Sequence, residues 1–337
     1  MPSICVLGAG SIGCYVGGRL AAAGADVTFV GRDRVRQQLI EHGLQLSDLN
    51  GSELSVPYAK IRFVTELDPA TDFELVLVTV KSAATTDAGR DLAAALPAGG
   101  LVLSLQNGIG NADLLARQLP EQTVLPGMVP FNVVQRGEGR FHQGSEGTLE
   151  VEEHPALSVW SALFERAGIP LQTHKQMLAV QWAKLLLNLN NPVNALSDLP
   201  LKCQLSQRDY RRCVALAQRE ALGLLELAGI QPAKITPLPP RWLPMLLSSP
   251  DWVFSRLANR MLMIDPLARS SMWEDLVAGR VTEVDWINGE IVRLADRLGR
   301  QAPVNAKLMA LIREAESGGD RDWSGEALLI ALREAAA

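Results

Sequence analysis

Lys184, Asn188 and Asn191 stand at i, i+4 and i+7 within the run QWAKLLLNLNNPVNAL, a spacing that lines side chains along one face of a single helix. A lysine and two amides on one face can hold a polar substrate and bring a cation and a proton to one point. Carbonyl reduction needs that equipment: hydride delivered to a ketone carbon leaves an alkoxide, which a positioned cation stabilises and a proton donor then quenches. Asparagine is a poor helix-interior residue because its amide competes for local backbone bonds, so four of them between positions 188 and 194 demand a reason. The ordinary alternative is a lysine stripe facing solvent. Three leucines in succession after Lys184 favour a buried helix whose polar face lines a cleft.

A second constellation opens the chain. Ser3 to Leu7 reads as a short buried strand, followed by Gly8, Gly10 and Gly13 in the string GAGSIG and then by an Ala-rich helical pattern to Gly24. In such a strand–turn–helix the first glycine permits the turn, the second lets backbone approach a pyrophosphate and the third lets helix and strand pack closely. The helix start at Ser11, Ile12 and Gly13 adds unpaired N–H donors and the positive end of the helix dipole. As a bare string, the pattern is equally an ordinary turn. The second strand, Ala25 to Val30, ends in Gly31 and Arg32, where NAD-binding proteins carry an acidic residue. An arginine there can grip a 2′-phosphate through paired hydrogen bonds, so the expected cofactor is NADPH. Asp33, the next residue, is the alternative ribose partner, which leaves Arg32 a solvated charge.

These groups need elements to hold them. Further strand-like runs at Leu75 to Val80 and Leu101 to Leu105 each lead into a helical pattern, the rhythm of a doubly wound parallel sheet. Ligands of such sheets sit beyond the carboxyl ends of the strands, which places Lys81, Gln106, Asn107 and Gly108 toward the cofactor. Asn-Gly is also a common turn dipeptide, and Lys81 reads equally as a solvated lysine. Between Val124 and Glu150, short strands with Gly-rich turns are expected to close the sheet with antiparallel edges, with His142 and His154 at the surface. All seven Trp lie at or after Trp160, while 17 of the 26 Val precede residue 170. A Val-rich half and a Leu- and Trp-rich half suggest a sheet followed by helices. The predicted fold is therefore α/β, an N-terminal Rossmann-type dinucleotide-binding domain over 1–173 followed by an all-α C-terminal domain over 174–337.

Together these residues carry a resemblance. GAGSIG, Arg32, LVTVKS with Lys81, QNG with Asn107, the KxxxN helix, and SSMWEDL followed by TEVDWINGEI resemble the ketopantoate reductase family over nearly the whole chain. Ser271, Asp275 and Glu283 keep the family's spacing. The resemblance implies NADPH-dependent reduction of 2-dehydropantoate to (R)-pantoate on the route to pantothenate and coenzyme A. On it, Lys184 is the general acid and Glu283 the carboxylate that engages substrate, cofactor and lysine. Asn188 and Ser271 are substrate contacts, and Asn107 touches both cofactor and substrate. The alternatives are that Ser271 with Glu274 forms a capping box and that Glu283 is a plain surface charge. The family often carries a second helix asparagine eight positions after the lysine, where this chain has Pro192; Asn191 or Asn194 takes that place. Another family asparagine gives way to Leu267, Ala268 and Arg269, and Arg269 beside Ser270 and Ser271 is a candidate clamp for a substrate carboxylate.

Other classes fit less well. A reductase of a different 2-keto acid shares every feature above, whereas a β-hydroxyacid dehydrogenase leaves Glu283 unexplained. An NADPH sensor without turnover would need the cradle but not Lys184, Asn188 and Glu283 together. The net charge of -5 offers no basic surface for nucleic acid or membrane. Cys5, Cys14, Cys203 and Cys213 form no CxxC pair and the histidines show no zinc spacing, so no metal is expected; Cys5 and Cys14 read as buried thiols. Without a signal-like start or an apolar span of ~20 residues, the expected place is the cytoplasm. The stretch from Gly229 to Arg269, with PLPPRWLP, Trp242, Trp252 and Phe254, is expected to be an ordered lid or subunit contact with its aromatics buried. The Trp-rich helical half is the expected surface of a homodimer. The reaction site is expected between the two domains.

Overall fold

A computed structural model describes residues 3–68, 72–257 and 268–337. The chain forms two compact units, residues 1–178 and 179–337. The first runs β1 (Ser3–Leu7), α1 (Ser11–Ala22), β2 (Asp26–Val30), α2 (Asp33–His42), β3 (Leu44–Ser47), β4 (Glu53–Val56), β5 (Arg62–Val64), β6 (Leu75–Val78) and α3 (Thr85–Ala95). It continues through β7 (Leu101–Ser104), α4 (Asn111–Gln118), β8 (Thr123–Met128), β9 (Val133–Gln135), β10 (Arg140–Gln143), β11 (Leu149–Glu152), α5 (Ser158–Arg166) and β12 (Leu171–His174).

Eight strands form the main sheet in the order β12-β11-β8-β7-β6-β1-β2-β5. The six strands β5, β2, β1, β6, β7 and β8 pair in parallel, with Val6 opposite Phe29 on one side and Leu77 on the other. The connections reverse direction at β1 and β6, which opens the crevice where doubly wound sheets bind ligands. Strands buried on both faces read as continuous apolar runs, and β6 (LVLV) and β7 (LVLS) are buried throughout.

The segment from Val124 to Glu150 divides between two sheets rather than closing one. β8 stays parallel to β7 and takes β11 antiparallel on its other side. β9 and β10 leave to pair with β3 and β4 in a second sheet, order β4-β3-β10-β9. The small sheet covers the outer side of α1: a Cβ on Gly18 would stand 2.9 Å from Leu46, and one on Gly17 only 2.6 Å from Phe29 of the main sheet. α1 is thus pressed between two apolar surfaces that include Phe141 and Val133. His142 is partly covered, with its Nδ1 2.8 Å from Ser47 Oγ, while His154 is exposed.

One cation is buried in this arrangement. Arg19 of α1 donates to the Ala167 carbonyl (2.8 Å), the Tyr15 hydroxyl (2.6 Å), Asp48 (2.9 Å) and Ser52 Oγ (3.3 Å). Those bonds offset its desolvation and hold the Asp48 carboxyl below the usual carboxylate range, against the upward push of burial. Cys5 and Cys14 lie fully buried, and burial pushes both thiols up to about 12.

The second unit is helical: α6 (Met177–Asn188), α7 (Asn190–Ser197), α8 (Leu201–Ser206), α9 (Arg208–Leu227), α10 (Leu243–Ser248), α11 (Asp251–Leu257), α12 (Ser271–Val277), α13 (Val284–Arg297), α14 (Pro303–Glu316) and α15 (Gly325–Ala336). α9 packs against α10, α13, α14 and α15. Its Glu220 receives the Val304 and Asn305 N–H groups at 2.9 Å each, capping α14 from a neighbouring helix. Within the stretch from Gly229 to Arg269, Trp242 and Trp252 are exposed, contrary to the sequence expectation. Phe254 alone of the three is buried, with the buried Arg211 guanidinium 4.2 Å over its ring. Residues 258–267 of that stretch, including Leu267, lie outside the described residues. No described helix is long and apolar enough to cross a membrane.

Candidate functional site

In the first unit the chain leaves β1 through Gly8, whose φ of +115° favours glycine; a Cβ there would stand 2.5 Å from Val80 N. Gly8 and Ala9 N–H both donate to the Val30 carbonyl at 3.0 Å, pinning the turn to the end of β2. A Cβ on Gly13 would lie 2.2 Å from the Gly8 carbonyl oxygen, so this position holds helix against turn. Gly10 differs: a Cβ there would meet nothing within 4 Å. It is the N-cap of α1, and no side-chain hydrogen bond caps the helix start at Ser11, Ile12 and Gly13. Two crowded glycines around an open one fit a dinucleotide pyrophosphate.

Arg32 follows β2 as the exposed N-cap of α2. Asp33, the alternative ribose partner, is engaged by Arg36, whose Nε donates to it at 2.8 Å. The loops after β6 and β7 are joined by a polar network. The Ser82 hydroxyl and Asn111 Nδ2 both donate to the Asn107 carbonyl (2.8 and 2.7 Å), and Gln106 Nε2 donates to Thr85 Oγ1 at 2.7 Å. Asn111 Oδ1 lies 2.9 Å from the same hydroxyl. Gln106 is therefore buried in the scaffold rather than turned outward, while exposed Lys81 and half-buried Asn107 sit at the rim of the crevice. Thr85 and Asn111 were not singled out in the sequence; their only signal was their place just after two strands.

The second unit holds the lysine. Lys184 and Asn188 are half-buried one turn apart on α6. Burial pushes the Lys184 pKa down from 10.5 to about 8, because desolvation disfavours the ammonium. The predicted single helix is in fact two. Pro192 has no N–H for the Asn188 carbonyl and its ring crowds that oxygen, so α6 ends at Asn188 and α7 begins at Asn190. Asn191 thus belongs to α7 rather than to the lysine's helix.

Contacts with the SSMW segment separate the two remaining asparagines. Asn194 is fully buried and spends both ends of its amide on structure, donating to the Leu199 carbonyl (2.9 Å) and accepting the Ser270 N–H (2.9 Å). Half-buried Asn191 meets the same segment through its carbonyl, 3.3 Å from Ser270 Oγ. The cap of α12 is Ser270, whose Oγ accepts the Trp273 N–H at 3.2 Å, so the alternative in which Ser271 caps the helix in a box with Glu274 is not adopted. Ser271, one residue on, is exposed. Arg269 donates to the Asp198 carbonyl at 2.7 Å. Asp275 is buried and pairs with Arg280 at 3.0 Å. Glu283 stands half-buried at the N-cap of α13. The structure thus ties Asn191 to Ser270 and Arg269 to Asp198 just past α7, with Ser271 next in the chain and Lys184 and Asn188 on the helix that feeds α7.

A doubly wound sheet with an open glycine cradle, followed by a helical unit carrying a desolvated lysine, defines a dinucleotide-binding oxidoreductase architecture. Residues 4–156 match the family Ketopantoate reductase PanE/ApbA, and residues 176–316 match its C-terminal counterpart. A crystal structure of a PanE/ApbA family ketopantoate reductase from Ralstonia eutropha is 31% identical, covers 94% of this chain and 98% of its own, and superposes with a TM-score of 0.79. The chain belongs to the ketopantoate reductase family. The 2-dehydropantoate 2-reductase of Pyrococcus horikoshii is 28% identical over 94% of this chain and 98% of its own length. D-mandelate dehydrogenase, solved with NADH and anilino(oxo)acetate, shares the fold at 22% identity, with a TM-score of 0.78 and coverage of 94% and 98%.

Proposed function

We propose that the protein reduces 2-dehydropantoate to (R)-pantoate with NADPH, residues 1–173 binding cofactor and residues 174–337 supplying substrate contacts and acid. The observation that carries this reading is Lys184: a desolvated lysine with its pKa pushed to about 8, one turn before Asn188 on the same helix. NADPH, when bound, supplies the hydride. Gly8, Gly10, Ser11, Ile12 and Gly13 hold its pyrophosphate, Arg32 its 2′-phosphate, and Lys81, Asn107 and Glu283 line its reactive end.

Asn188, Asn191, Ser271 and Arg269 bind the keto acid, with Arg269 on its carboxylate. As negative charge grows on the C2 oxygen, the Lys184 ammonium stabilises it and then donates a proton to it from Nζ. Lowering the lysine pKa favours that transfer while leaving most of the lysine protonated at neutral pH. Glu283 orients the ammonium and a substrate hydroxyl. Exposed Trp242, Met245 and Trp252 on the helical unit support a homodimer, and unpaired thiols at all four cysteines support a cytoplasmic setting.

The test is steady-state oxidation of NADPH and NADH with ketopantoate and a panel of other 2- and 3-keto acids. Ketopantoate with NADPH should give the highest kcat/KM. Faster turnover of another acid would leave the chemistry standing and overturn the substrate; tight NADPH binding without turnover of any acid would overturn the reductase.

A further inference from the structure

α7 ends in a turn that grips the segment beginning α12. Asp198, just past the helix, has left-handed backbone (φ 49°), a conformation that aspartate tolerates better than most side chains. The turn is built from within: Ser197 Oγ donates to the Asn194 carbonyl at 2.9 Å, and Asn194 Nδ2 donates to the Leu199 carbonyl at 2.9 Å. Across from it, Ser270 N–H donates to Asn194 Oδ1, and Leu201 N–H donates to the Ala268 carbonyl at 2.8 Å. Between these two ties lies Arg269.

Three contacts hold that arginine. Its Nη1 donates to the Asp198 carbonyl at 2.7 Å and lies 3.4 Å from Asp198 Oδ1, and its guanidinium stacks 4.0 Å over the Trp273 ring. The Trp273 indole N–H donates to the same Oδ1 at 2.5 Å, so carboxylate and ring fix each other as well as the arginine. The carboxylate is about half-exposed, and a solvent-exposed ion pair contributes only ~0–1 kcal/mol to stability, so folding does not explain three groups locked in one arrangement. Orientation does. Nη1 is spent, whereas Nε and Nη2 make no hydrogen bond among the described residues. Those two N–H groups share one edge of the guanidinium, the fork that receives a carboxylate through two parallel bonds.

The geometry points to Asp198 and Trp273 as positioning residues that present the Nε–Nη2 edge of Arg269 to the carboxylate of the keto acid. The inference rests on the reading of Arg269 as the substrate's carboxylate contact. Asp198 takes up the opposite side of the guanidinium, and the indole face keeps the plane from rotating, so the bidentate geometry exists before substrate arrives.

The experiment compares Asp198→Ala, Asp198→Asn, Trp273→Phe, Arg269→Ala and the Asp198→Ala/Arg269→Ala pair, with KM and kcat for ketopantoate, KM for NADPH and a thermal melt for each. Asp198→Ala and Trp273→Phe should each raise the ketopantoate KM about tenfold or more, the scale of one misaligned charge-assisted hydrogen bond, with kcat within a few-fold and NADPH KM unchanged. Asp198→Asn keeps an Oδ1 acceptor for the indole and a backbone carbonyl for Nη1, so it should recover most of that KM. The double variant should be no worse than Arg269→Ala alone, because a positioning group has nothing left to position. An unchanged KM in Asp198→Ala and Trp273→Phe together, or full additivity in the double variant, overturns the proposal, and so does a KM rise that tracks loss of melting temperature. If Asp198→Ala does not fold, Trp273→Phe decides alone: an unchanged KM there overturns the proposal. Failure of the underlying reading looks different: Arg269→Ala itself would leave KM unmoved, or the wild type would turn over no 2-keto acid.

Discussion

Replacing Lys184 with methionine keeps the length of the side chain and removes its charge, which separates two effects that the structure sets against each other. Desolvation lowers the lysine pKa from 10.5 to about 8. At 1.36 kcal/mol per unit, that shift corresponds to about 3 kcal/mol by which the folded state disfavours the ammonium relative to the unfolded chain. The folded pKa lies below the unfolded one, so the penalty is fully present below pH 8 and fades as pH rises toward 10.5, where both states are neutral. Lys184→Met should therefore be more stable than wild type at pH 7, by up to about 3 kcal/mol, with the difference shrinking above pH 8. Activity should move the other way. With a pKa of about 8, about nine-tenths of the folded lysine is protonated at pH 7, and loss of a general acid costs roughly 10²–10⁴ in kcat. NADPH absorbance with ketopantoate, measured from pH 6 to 10, gives the profile; urea melts at pH 7 and 9.5 give the stability. Wild-type kcat should be flat below pH 7 and fall about tenfold per unit well above 8, an alkaline limb that the methionine variant lacks. A variant that retains that limb, or loses less than tenfold in kcat, refutes Lys184 as the acid; a variant no more stable than wild type at pH 7 refutes the desolvation argument.

The glycine cradle predicts opposite failures at neighbouring positions. Gly13→Ala drives a Cβ to 2.2 Å from the Gly8 carbonyl oxygen and should destabilise the first unit by ~1–3 kcal/mol, read as a lower melting midpoint without cofactor. Gly10→Ala meets no protein atom within 4 Å, so its melt should match wild type while NADPH affinity falls, as measured by calorimetric titration. Arg32→Ala should weaken NADPH binding by about 1.5–3 kcal/mol and leave NADH almost unchanged, because only the 2′-phosphate distinguishes the two. Equal losses for both cofactors would move the 2′-phosphate contact elsewhere.

The first unit was the more legible half, for reasons of distance along the chain. Strand, glycine turn and helix lie within thirty residues, and the turn's crowded glycines follow from local backbone geometry, so the strand–turn–helix could be read in one pass. Cys5 and Cys14 were placed in the core by the apolar runs around them. Pro192 was visible too, yet its effect on the KxxxN helix depended on whether the turn could restart at Asn190, which local pattern does not decide. Strands β9 and β10 show the limit of periodicity: alternation makes a strand, but the edge it joins depends on which apolar faces remain uncovered, here the outer side of α1.

The amino-acid sequence alone thus determined the glycine turn after the first strand, the division into a sheet half and a helical half, and the family. Tertiary structure decided the rest. It placed Asn194 in the scaffold, gave the α12 cap to Ser270 rather than Ser271, and set Asp198 against a tryptophan seventy-five residues on. It also lowered the Lys184 pKa. All of these depend on which distant groups exclude water from a side chain or meet its hydrogen-bonding atoms, and spacing along the chain carries no record of that until the helices pack.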